Sequence, residues 1–213
     1  MVIVTEKIRA IEVARADDLR TEVYILECEG GLILIDTGFT PVCLENIGRE
    51  LEEMRKTWSD IKLVLITHAH GDHIENLPEI MRLTGNAEIM LGEGDVETLK
   101  EQTGVVADMG LENKDLIDAC GGIEVIHIPG HSEGNLTFYI RSEKTMIVGD
   151  TIFENSRGNL CPPPEKYSKD VAMATREIRR LLDYDFDKLL LSHGEKVFYD
   201  AKKKVKKLVE EVS

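Results

Sequence analysis

Six consecutive residues, His68-Ala69-His70-Gly71-Asp72-His73, place three imidazoles and a carboxylate within one short stretch of chain. Imidazole and carboxylate without thiolate suit zinc and also suit iron or manganese. So short a loop cannot wrap every side chain around one tetrahedral ion, but successive residues can feed two neighbouring ions. Distant ligands must then complete the site. The chain has six histidines, and two beyond the run, His131 and His193, close apolar segments: Val-Ile-His-Ile-Pro-Gly-His131 and Leu-Leu-Leu-Ser-His193. Three other apolar segments also end in ligand-type residues, at Asp36, His68 and Asp150. The sixth histidine, His127, alternates with Val125 and Ile123 and reads as a structural side chain on a strand, outside the ligand set.

These donors need rigid carriers. Runs rich in Ile, Leu and Val at 8–13, 23–27, 32–35, 63–66, 88–91, 124–128, 136–140, 145–148 and 188–191 are expected strands. In open α/β sheets, sites form where the carboxyl ends of strands gather, so five strand ends bearing donors imply one shared site. Between the strands lie helical patterns. After Pro41, well placed at a helix start, Leu44, Ile47, Leu51, Met54 and Trp58 recur at spacings of three and four. A second helix is expected to begin near Ser168 as N-cap and to bury Val171, Ala174, Ile178 and Leu181 or Leu182. A third carries Val197, Ala201, Val205, Leu208 and Val212.

The bulk composition sets the frame for this site. With 213 residues, 42% of them hydrophobic and 31% charged, the chain reads as one globular α/β domain covering 1–213. A net charge of −14 repels polyanions, so nucleic acid is not an expected partner. The lysines at 202–204, 206 and 207 read as the solvated face of the last helix. The longest apolar stretches, 63–66 and 189–191, fall far short of the roughly 20 residues that span a bilayer. With no basic leader or small-residue cleavage site at the N-terminus, the expected compartment is the cytoplasm and no membrane association is expected. Cys28, Cys43, Cys120 and Cys161 show no Cys-x-x-Cys spacing and read as reduced thiols, three of them packing residues.

Taken together, Thr67-His68-Ala69-His70-Gly71-Asp72-His73, Pro129-Gly130-His131, Gly149-Asp150-Thr151, Ser192-His193-Gly194 and the earlier Leu34-Ile35-Asp36-Thr37-Gly38 resemble, in order and spacing, the motifs of the metallo-β-lactamase superfamily. The resemblance covers nearly the whole chain. It implies a four-layer αββα sandwich built from two related halves. It also implies a first metal on His68, His70 and His131, a second on Asp72, His73 and His193, and Asp150 bridging both. Two divalent ions, zinc first among them, would share a water, lower its pKa towards about 7 and polarise a carbonyl. Asp72 would help orient the nucleophile. Asp36 reads as a buried hydrogen-bond acceptor.

Gly149-Asp150-Thr151-Ile152-Phe153, followed by Arg157-Gly158, looks like the glyoxalase II branch, which hydrolyses thioesters. A thiolate with a pKa near 8.5 leaves with little acid assistance, which agrees with the lack of a dedicated acid. The continuation Ser132-Glu133-Gly134-Asn135 departs from that branch, and a C-terminal helical domain for glutathione is not expected. True β-lactamases of the commonest type place Cys where Asp150 stands, and lactonases of the fold place Tyr where Phe153 stands. A mononuclear-iron persulfide dioxygenase is the competing oxidoreductase reading. Phe39, Phe153, Arg157 and Tyr167, on loops after the strand ends, are the candidates for contact with a small-molecule substrate.

Overall fold

The computed structural model describes residues 2–13 and 21–212. β1 (Val2–Ile3), β2 (Ile8–Val13), β3 (Thr21–Cys28) and β4 (Gly31–Ile35) form an antiparallel meander. From there the sheet turns parallel, through β5 (Ile61–Ile66), β6 (Glu88–Gly92) and β7 (Met109–Leu111). Parallel neighbours need crossovers, and helices supply them. α1 (Pro41–Glu53) precedes β5, α2 (Gly71–Ile74) and α3 (Leu77–Thr84) precede β6, and α4 (Val96–Thr103) precedes β7.

The second sheet is built from β8 (Leu116–Ile117), β9 (Ile123–His127), β10 (Leu136–Ile140) and β11 (Thr145–Ile147), all antiparallel. The chain then leaves it for a small hairpin, β12 (Phe153–Glu154) with β13 (Leu160–Cys161), and for α5 (Val171–Glu177). β14 (Lys188–Leu190) returns parallel to β11, and α6 (Ala201–Val212) packs behind it.

Strand alternation creates the layers. On β3, β4 and β5, Ile25, Leu34, Val64 and Ile66 face a core shared with Cys43, Ile47, Leu51 and Ile80 of α1 and α3. Their alternates Tyr24, Leu26, Ile33, Ile35, Leu63 and Leu65 face Val125, Leu136, Phe138 and Ile147 of the second sheet. Ile126, Met146 and Leu189 on the far side of that sheet meet Ile178, Leu181, Val205 and Leu208. Three cores between four layers give the αββα sandwich, each buried Leu, Ile or Phe contributing about 1.5–3 kcal/mol. Among the described residues no helix is long and apolar enough to cross a membrane.

Polar ties fix the two sheets at one end. The Tyr24 hydroxyl donates to Leu191 O at 2.6 Å, its pKa held well above the ordinary range by burial first and by Glu22 second. The Glu22 N–H donates to Ser192 O at 3.0 Å, and the Glu22 carboxylate pairs with Lys196 at 2.5 Å. The segment carrying His193 is thereby fastened to the start of β3.

Several expectations change. Val197, expected on the last helix, pairs instead with Leu189 in an isolated antiparallel bridge ahead of α6. Cys28 and Cys120 are not thiols: they form a disulfide, their Cα atoms 4.7 Å apart. A separation of 92 residues hides such a pair from any spacing rule, because the fold alone brings the end of β3 to the turn before β9. Asp170, not Ser168, caps α5, its side chain accepting from the Met173 N–H. The stripe after Pro41 is also interrupted, since α1 ends at Glu53, Arg55 adopts φ 57° and Trp58 sits in a separate 3-10 turn, still packed on the α1 core.

Candidate metal centre

Every donor-bearing strand end arrives at one place. β5 runs into Thr67 and His68, and α2 begins directly after His70, so that helix start presents Asp72 and His73 from one turn. The loop between β9 and β10 contributes His131, the turn after β11 contributes Asp150, and the segment after β14 contributes His193. Among the described residues, three groups have donor atoms within 4.8 Å of one another: His68, His70 and His131; His68, His73 and Asp150; Asp72, His73 and His193.

Asp150 joins these groups, with one oxygen toward each side. Its Oδ2 lies 3.3 Å from His131 Nε2 and 3.8 Å from His68 Nε2. Its Oδ1 lies 3.3 Å from both His73 Nε2 and His193 Nε2. On the first side His68 Nε2 is 3.0 Å from His70 Nδ1 and 3.1 Å from His131 Nε2. On the second, Asp72 Oδ2 is 3.2 Å from His193 Nε2 and 3.7 Å from His73 Nε2.

The backbone behind Asp150 is held closely. Gly149 adopts φ 51°, and a Cβ there would press on the Thr67 side chain at 2.7 Å, so the bulk of any other residue would drive the strand ends apart. Thr151 is fixed from the other side, where Asn135 Nδ2 donates to its Oγ1 at 2.9 Å. Asp36, at φ 60°, accepts the Thr67 N–H on Oδ1 and the Thr67 hydroxyl on Oδ2, each at 2.8 Å.

Burial and charge divide the histidines. Burial, reinforced by His73, holds His68 well below the ordinary histidine range, and burial with His131 lowers His70. Both stay neutral, with a lone pair to offer. Burial also opposes charge on His73 and His193, but the carboxylates overcome it. Asp36, Asp150 and Asp72 raise His73 well above the ordinary value, and Asp150 with Asp72 raises His193 to about 9. Reciprocally, the imidazoles outweigh burial and depress Asp150 and Asp72.

A cavity of about 610 Å³ opens over this cluster, with His70, Asp72, Asp150 and His193 in its wall. Phe153 and Tyr167 line it, and Phe153 stacks on His193 with ring centroids 5.0 Å apart. The other two candidate contacts lie elsewhere: Phe39 packs against the core under α1, and Arg157 is exposed on the turn between β12 and β13. Gln102, Lys166 and Lys169 line the mouth without any motif to mark them. Ser168 lines it too, its hydroxyl 3.3 Å from His131 Nδ1. His127 is outside all three donor groups, its Nε2 donating to Glu133 O at 2.7 Å.

Comparison with known proteins agrees with this architecture. Residues 16–193 match the family model described as the metallo-beta-lactamase superfamily. The chain is similar to a hydroxyacylglutathione hydrolase of Pelagibacter ubique, 30% identical over 100 residues, 47% of this chain and 40% of the relative. It thus spans less than half the length of that relative. In three dimensions it is similar to a metallo-beta-lactamase from Pontibacter korlensis, with TM-score 0.80 and 18% identity over 97% of this chain and 96% of the other. It is also similar to a flavo di-iron protein mutant from Thermotoga maritima, with TM-score 0.74 and 14% identity over 96% of this chain and 59% of the other. At such identities the structural likenesses establish the fold alone.

Proposed function

Because the chain belongs to the metallo-β-lactamase superfamily, we propose that it is a hydrolase of carbonyl substrates, thioesters foremost, that works with two divalent ions, zinc first among them. The single observation carrying this reading is the Asp150 carboxylate, with Oδ2 facing His68 and His131 and Oδ1 facing His73 and His193. The residues fit such ions on a second ground. His73 Nε2 and Asp150 Oδ1 are buried without a hydrogen-bond partner, a costly state that cations would relieve.

In this reading His68, His70 and His131 hold the first ion, Asp72, His73 and His193 the second, and Asp150 both. When bound, the ions supply an activated water near neutral pH and charge to stabilise the oxyanion. The protein's side chains do the rest. Asp72, half-exposed in the cavity wall and held ionised, orients the water through its carboxylate. Phe153 and Tyr167 give the acyl or thiol portion an apolar surface, while His68 and His73 lie behind the cavity wall at 0% exposure. A thiolate leaves without a protein acid, consistent with the cavity wall, where the carboxyl groups of Asp72 and Asp150 are held ionised.

Support for the thioester branch comes from the motif after Asp150 and from the similarity to the hydroxyacylglutathione hydrolase, a partial match that leaves the thiol carrier open. The test is metal analysis of the purified protein together with a screen of thioester, lactone, phosphodiester and β-lactam hydrolysis. Two zinc ions per chain and thioester turnover without oxygen are expected. One iron per chain with oxygen consumed on a persulfide would replace this reading by the dioxygenase one, and preferential turnover of lactones would move the chain to the lactonase branch.

A further inference from the structure

Asp95 is a buried carboxylate, 2% exposed, that stands at the N-cap position of α4 without capping it through its side chain. Its oxygens are occupied across the fold instead. Oδ2 accepts the Ala69 N–H at 3.0 Å and the Ser132 hydroxyl at 2.6 Å, while Oδ1 accepts the Gly134 N–H at 2.9 Å. Ala69 separates His68 from His70, and Ser132 directly follows His131. One carboxylate on a third segment therefore grips both loops that present the three-histidine set.

The approach is made possible by glycine. A Cβ on Gly92 would collide with Gly134 O, and one on Gly94 would come within 2.7 Å of the Glu133 carbonyl carbon. The segment Gly92-Glu93-Gly94-Asp95 thus lies in backbone contact with the His131 loop. Three donors converge on Asp95, and an ionised carboxylate, which only accepts, satisfies all of them. An amide in its place would turn a donor toward either the Ala69 N–H or the Gly134 N–H.

We propose that Asp95 is a positioning residue for the first metal, locking the His68–His70 turn against the His131 loop so that His68 Nε2, His70 Nδ1 and His131 Nε2 converge. The proposal rests on the two-metal reading above. Loss of an outer hydrogen-bond partner of this kind weakens metal binding by about 10–100-fold.

The experiment strips and reloads the full-length protein with zinc or cobalt and compares it with Asp95→Asn, Ser132→Ala and Glu50→Gln. Glu50 is a buried carboxylate on α1, paired with Arg9 at 2.9 Å, so its variant controls for stability loss away from the ligand loops. Ions per chain, affinity by chelator competition, the cobalt spectrum and thermal stability are read for each. Asp95→Asn should keep one ion at parental affinity, bind the other about 10–100-fold more weakly and shift the cobalt spectrum. Ser132→Ala should weaken the same ion several-fold, and Glu50→Gln should lose stability without either change. Two ions at parental affinity in Asp95→Asn, or equal weakening of both, would overturn the proposal. If Asp95→Asn does not fold, unaltered first-ion affinity in Ser132→Ala overturns it. A parent protein that binds no ion overturns the two-metal reading itself, and the proposal with it.

Discussion

Asp36 Oδ2 lies 2.8 Å from His73 Nδ1, an arrangement in which the ring donates to the carboxylate and turns Nε2 toward Asp150. The same carboxylate takes two hydrogen bonds from Thr67, so a single acceptor sets the orientation of His73 and the path of the chain into His68. Removing it frees the ring to rotate and orphans buried donors. Asp36→Ala is therefore expected to weaken the ion held by Asp72, His73 and His193 by about 10–100-fold, measured by chelator competition. Parental affinity at that ion would show that the ring needs no such partner.

The division between donors and bystander histidines gives a sharper contrast. Asp150→Ala removes the one side chain shared by both sets, and His68→Ala breaks the three-histidine set. Each should lose metal and activity together. His127→Ala removes a ring that donates to Glu133 O, at a cost of about 1 kcal/mol, and should retain both. Metal content and turnover measured on the same preparations check this. A His127 variant without metal would assign that ring to the centre.

Stability of the metal-stripped protein should depend on pH through the same residues. His193 rises from 6.5 to about 9 on folding, so its contribution is fully present below pH 6.5 and is lost as pH climbs through about 9. Asp72 and Asp150, depressed from 3.8, contribute above that value and lose their share as pH falls through their lower folded values. His68 and His70, held below 6.5, work the other way, their contribution present above that value and lost as pH falls, so the stripped protein should be most stable near pH 6.5 and lose on the order of 2 kcal/mol toward pH 9. Denaturant titrations at pH 6, 7.5 and 9 measure it. His193→Gln should flatten the alkaline fall, and an unchanged fall in that variant would place the titrating group elsewhere.

Much of this centre is legible in the sequence because each donor ends an Ile-, Leu- or Val-rich run, and buried strands have few other ways to finish in His or Asp. The strands at 8–13 and 136–140 coincide with their expected bounds for the same reason. What escapes is whatever depends on partners distant in sequence. Met109–Leu111 and Leu116–Ile117 are too short to show a period, and α3 and α4, at eight residues each, are too short for a sustained helical stripe. Asp95 ends no apolar run; its importance lies in Ala69, Ser132 and Gly134, which only the fold brings to it. Phe39 is half-buried and packs against the core that α1 shares, a placement that its position after a strand end does not reveal.

The Cys28–Cys120 bridge joins the two sheets far from the metal centre. Thr21, at the other end of β3, donates to Asp72 at 3.2 Å, and seven residues of extended strand carry the chain about 23 Å from there to Cys28. Closing a loop of 92 residues removes much of the freedom of the unfolded chain, which by the chain-entropy model and by typical measurements corresponds to about 2–5 kcal/mol. The double variant Cys28→Ala/Cys120→Ala should lose that amount in denaturant titrations while keeping its metal, since the bridge lies at the opposite end of β3 from the Thr21–Asp72 contact. Thiol titration checks the pairing directly. Unreduced, denatured protein should show two thiols, Cys43 and Cys161, and four after reduction. In the native state Cys43 should not react at pH 8, because burial pushes its thiol up to about 12 and closes it from solvent. Four thiols in unreduced protein would mean that the two sheets are held by packing alone, and the double variant should then cost no more than two small core substitutions.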